Sequence, residues 1–90
     1  MGIIAVKIKI MPTSPTVNTK KIGEKAKELV ESIGGKNCSI TEEPIAFGLN
    51  ALIVFFAWPE EKELEVLEEK LGKLKDVNSV QVVDMRRAFG

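Results

Sequence analysis

Ninety residues leave room for one small domain, residues 1–90, with one core and one site. A chain this short buries only about 60 % of its unfolded surface, so every apolar run is needed for that core. Thirteen basic and thirteen acidic side chains cancel, so no bulk field draws the chain to nucleic acid or anionic lipid. The single Cys38 excludes an internal disulfide framework. The absence of histidine removes the usual general base, the usual zinc ligand and the Ser/His or Cys/His nucleophile pairs.

Ile4, Val6, Ile8 and Ile10 alternate with less apolar positions, which predicts a first strand with one core face. Lys7 and Lys9 interrupt the apolar start before a signal-peptide core forms, and no stretch approaches the roughly 18 uncharged apolar residues of a membrane span, so the expected location is cytoplasmic. Pro12-Thr13-Ser14-Pro15 ends the strand. From Asn18, an N-cap, Ile22, Ala26, Leu29, Val30 and Ile33 fall at helical spacing, and Gly34-Gly35 closes that helix. A short second strand over 37–41 is predicted to give way at Glu42-Glu43-Pro44, followed by a loop through Gly48.

Leu49 to Trp58 is apolar on both alternation phases, the pattern of a central strand. Pro59 suits the first position of a second helix, with Glu60, Glu61 and Glu63 at its positive end and Leu64, Leu67, Leu71 and Leu74 as its buried stripe. A turn over 76–79 leads to a last strand built on Val80 and Val82, running into Arg86 and Arg87.

The order strand, helix, strand, strand, helix, strand is the ferredoxin-like βαββαβ plan, an α+β fold. Right-handed crossovers put both helices on one face of a four-stranded antiparallel sheet of order 4-1-3-2 and leave the other face open. An apolar third strand then places large side chains on the open face, where either a loop or a partner would shield them.

Carboxylates at Glu42, Glu43 and along 60–69 read as solvated helix face and dipole complement, and no metal or cofactor is expected. Eleven lysines against eleven glutamates hint at surface ion-pair networks. Phe47, held between Ala46 and Gly48 after Pro44, is either an anchor under its own sheet or a wedge for a partner pocket. Arg86 and Arg87 either address phosphates or acidic surfaces, or form a solvated tail. An RNA-binding module of this fold needs stacking aromatics on its first and third strands, and the first strand has none. A small-ligand regulatory module would need a convergent polar cluster, which the sequence lacks.

The segments Ile10-Met11-Pro12, Glu42-Glu43-Pro44-Ile45-Ala46-Phe47-Gly48 and Val83-Asp84-Met85-Arg86-Arg87-Ala88-Phe89-Gly90 resemble the archaeal translation elongation factor 1-beta family, the short form of the eukaryotic guanine-nucleotide exchange domain. The resemblance covers essentially the whole chain. It implies a ferredoxin-like fold and a non-enzymatic exchange factor that releases GDP from elongation factor 1-alpha, so that GTP and then aminoacyl-tRNA can bind.

Eukaryotic members carry a Pro-Val/Ile-Gly-Tyr/Phe-Gly loop whose aromatic enters a pocket of the GTPase, and Phe47 matches it, with Pro44 and Gly48 framing the loop. Their C-terminal lysine has no counterpart in Phe89-Gly90, although Asp84 matches the family's aspartate. The partner-binding residues expected here are therefore Pro44, Phe47, Gly48, Arg86, Arg87 and Phe89. The arginines are expected to pair with acidic residues of the GTPase and to govern association rather than the phosphate site. Neither a membrane nor direct nucleic-acid contact is expected.

Overall fold

In the computed structural model, which describes residues 2–89 with side chains through Arg87, a strand over Ile3–Pro12 (β1) buries Val6, Ile8 and Ile10 completely. Their period-two spacing puts all three on one face. The following helix, Thr19–Ile33 (α1), starts where Asn18 accepts hydrogen bonds from the backbone N–H groups of Lys20 and Lys21. It ends at Gly34, whose φ of 123° only glycine adopts without strain. A Cβ on Gly35 would overlap the Val30 side chain, so the second glycine is required by close packing. Asn18→Ala leaves helix N–H groups unpaired and is expected to cost about 1 kcal/mol, a lowering of the melting temperature by about 4–8 °C.

The second strand, Lys36–Pro44 (β2), is longer than its apolar residues predict and continues through Glu42 and Glu43. Those glutamates pair opposite Leu52 and Ala51 of the third strand, Asn50–Pro59 (β3), so backbone pairing extends the element where side-chain pattern signals a stop. Helix two, Leu64–Gly72 (α2), begins five residues later than Pro59, the expected first helical position. Pro59 instead closes β3, opposite Ile3, and the Glu60 N–H donates to the Gly2 carbonyl. The Trp58 indole N–H donates to the Lys62 carbonyl at 3.1 Å, so a turn tied back to the sheet occupies the place of the first helical turn. The last strand, Val77–Phe89 (β4), starts inside the segment expected to be a turn. The reversal is completed earlier, at Asp76 with its φ of 68°.

The sheet order is β2-β3-β1-β4, every neighbour antiparallel, which is the expected order read from the other edge. Ile22, Ala26 and Val30 of α1 and Leu67 and Leu71 of α2 join Val6, Ile8, Ile10, Val54, Phe56 and Trp58 in one core, so both helices cover the same face. Phe56 and Trp58 meet edge to face with ring centroids 5.8 Å apart. No helix of the described residues is long and apolar enough to cross a membrane.

Candidate partner-binding site

The five residues 45–49 join β2 to β3 in a loop closed by two backbone bonds. The Ile45 N–H donates to the Leu49 carbonyl at 2.7 Å, and the Leu49 N–H to the Ala46 carbonyl at 3.3 Å. A 3-10 turn over Ala46–Gly48 puts Phe47 at the apex, 93 % exposed, with φ 63° and ψ 30°. This is the left-handed region, sparsely populated by non-glycine residues and unfavourable by about 1–2 kcal/mol for side chains with a Cβ. Gly48 follows at φ 75° and supplies a second left-handed residue without that strain. A Cβ placed on Gly48 would stand 4.0 Å from the Cβ of Pro15, so the loop between β1 and α1 lies alongside. Pro44, exposed at the end of β2 opposite Asn50, sets the exit of that strand. Phe47 is thus not tucked under its sheet.

Arg86 and Arg87 sit on β4 opposite Ala5 and Ile4, at the other end of the sheet from Phe47. The Arg86 Nε lies 3.2 Å from Asp84 Oδ2, and Arg87 pairs with Glu60; the two arginine side chains are 80 % and 61 % exposed. Phe89 contributes backbone opposite Ile3, and its side chain lies outside the described residues. The structure therefore separates the expected contacts into two groups. The paired part of β1, from Ile3 to Ile10, lies between them and spans roughly 25 Å at about 3.3 Å per residue.

Among the described residues no polar or charged side chain is buried, and no group of three or more Cys, Asp or Glu is placed to hold a metal ion. Burial pushes the Cys38 thiol pKa up; Glu31 adds to the shift and Lys27 opposes it, so the thiol is not activated. A groove of about 520 Å³ between α1 and β2 is floored by Ile40 and Leu52 and edged by Lys20, Glu24, Lys27 and Glu42. Its rim carries charges of both signs. Glu65 and Glu69 are exposed on α2, as a solvated helix face requires, whereas Glu61, expected on the same face, is exposed in the turn that precedes the helix. One candidate lay in the pattern of the sequence without being singled out: Phe55, 44 % exposed on the sheet face away from the helices. The signal for it was the doubly apolar third strand.

The model of the EF-1 guanine nucleotide exchange domain matches residues 5–88. Elongation factor 1-beta of Methanococcus aeolicus is 46 % identical over 87 residues, covering 94 % of this chain and 97 % of the relative. The protein of the same name from Methanosarcina barkeri is 44 % identical over 88 residues, covering 97 % and 99 %. That of Methanocaldococcus jannaschii is 39 % identical over 89 residues, covering 98 % and 100 %.

Proposed function

The chain belongs to the EF-1 guanine nucleotide exchange domain family, and from that membership we infer that it promotes exchange of GDP for GTP on translation elongation factor 1-alpha during protein synthesis. It acts by binding, without chemistry of its own. An exchange factor weakens nucleotide binding to its GTPase, and by linkage the nucleotide weakens the factor's binding by the same ratio, so the nucleotide-free GTPase is the preferred partner.

The observation that carries this reading to particular residues is Phe47, a large aromatic with 93 % of its surface in water on a strained backbone. Such a side chain contributes almost nothing to its own core, and its apolar surface gains only when a partner pocket removes it from water. Arg86 and Arg87 form the second contact, on the opposite end of a molecule 41 Å long. One rigid sheet then engages two separate places on the GTPase.

Both guanidinium groups already pair with carboxylates of this chain, so the net local charge is small and their long-range pull is limited. Exposed pairs of this kind are worth about 0–1 kcal/mol and exchange readily for carboxylates of a partner. Arg86→Ala together with Arg87→Ala is expected to slow complex formation by about two- to fivefold at low salt. Maximal GDP release at saturation stays nearly unchanged. A fall of tenfold or more in maximal release, about 1.4 kcal/mol of barrier, would instead put the arginines on the phosphate site. Stopped-flow release of a labelled GDP at several salt concentrations separates the two.

A further inference from the structure

Side chains opposite one another in an antiparallel ladder share a face, so the face turned away from the helices is defined by strand pairing. Phe55 of β3 stands opposite Lys7 of β1 and Ser39 of β2, and Lys7 in turn opposite Asp84 of β4. In the next row Ile53 stands opposite Lys9 and Thr41, with Gln81 beyond Lys9. On the other side of Phe55, Ala57 stands opposite Ala5, and Ala5 opposite Arg86. The result is an apolar strip along β3, exposed at Phe55 and half-buried at Ile53 and Ala57, beside a border of Lys7, Lys9 and Arg86. Asp84, the acidic group in that border, is held by Arg86, and Glu43 of β2, opposite Ala51, adds one carboxylate at the far edge of the same face. Phe55 keeps 44 % of its surface in water.

Area decides what this face is for. A stable protein interface takes about 800 Å² from each partner. One aromatic tip supplies about 150–250 Å², and two arginines on a strand end do not close the gap. Four strands about 4.8 Å apart and eight residues long offer roughly 500 Å² between the two contact groups.

We propose that the open face of the sheet, centred on Phe55 and bordered by Lys7 and Lys9, lies against the GTPase between the Phe47 end and the arginine end, and meets there an apolar surface edged with carboxylates. The inference rests on the exchange-factor reading and deepens it. The cationic border favours an acidic partner surface over a second copy of this chain, which would bring like charges together across the contact. Phe55 acts as the central anchor, and Lys7 and Lys9 set the orientation.

Phe55→Asp, Phe55→Ser and Lys9→Glu are to be compared with Val66→Asp, which alters a 42 % exposed apolar side chain on α2. The readout is the concentration of protein giving half-maximal GDP release, with a thermal melt for each variant. Phe55→Asp and Phe55→Ser are expected to raise that concentration by at least about tenfold and Lys9→Glu by at least about threefold, with every variant folded at the assay temperature and Val66→Asp without effect. Unchanged half-saturation in a folded Phe55 variant overturns the proposal. So does dissociation of a homodimer by Phe55→Asp in sedimentation, or a Phe55-dependent affinity for a fluorescein-labelled oligouridine as the only binding lost. If the unaltered chain itself fails to accelerate release, the exchange-factor reading fails, and that outcome is distinct from a failure of the Phe55 variants alone.

Discussion

Phe47→Ala is expected to weaken the complex with elongation factor 1-alpha by about 2 kcal/mol, roughly a thirtyfold rise in the dissociation constant, because anchor aromatics carry that much of an interface. The same substitution should leave the fold intact, since the side chain is 93 % exposed and makes no part of the core. Backbone strain adds a second and opposite effect. Asparagine tolerates the left-handed region better than phenylalanine, so Phe47→Asn should stabilise the free protein by about 0.5–1 kcal/mol while weakening the complex as alanine does. Binding titrations and thermal melts on the pair of variants test this directly. A large loss of melting temperature in Phe47→Ala would place the side chain in the core and end its role as an anchor.

Phe56→Ala should have the largest effect on stability. The ring is fully buried, touches Trp58 edge to face, and packs beside Gly35. Truncating a buried phenylalanine costs about 3–5 kcal/mol, from lost burial and from the cavity left behind. A chain of this length is stable by only about 5–13 kcal/mol in total. The expected fall in melting temperature is therefore about 12–40 °C. A fall of only a few degrees would mean that the core collapses around the gap. Phe55→Ser, one residue away on the other face, should lower the melting temperature by less, because 44 % of that side chain is already in water.

The contrast between Phe55 and Phe56 also shows what was readable in the sequence. Period-two alternation identified β1 and its buried face, and Asn18 with Gly34-Gly35 marked both ends of α1, because capping and glycine conformation are local effects. The fold order followed from these patterns. Element ends set by partners in space were not readable: β2 runs on through two glutamates because β3 supplies backbone pairing, and Pro59 closes β3 because Ile3 and Trp58 hold it there. A proline after a strand suits either a helix start or a strand end, and only tertiary contacts choose. Phe47 was readable as a loop aromatic, but its left-handed backbone depends on the bonds that close residues 45–49. The separation of Phe47 from Arg86 and Arg87 follows from strand direction: the β2–β3 loop and the end of β4 lie at opposite ends of β1.

The central claim is that this chain opens the nucleotide site of elongation factor 1-alpha by binding it. The most direct test is dissociation of a fluorescent GDP analogue from that GTPase, chased with excess unlabelled nucleotide, with and without saturating protein. Release should accelerate by at least about tenfold, a barrier lowered by about 1.4 kcal/mol, and the acceleration should saturate as the complex forms. Release at the unassisted rate in the presence of saturating, folded protein would contradict the account.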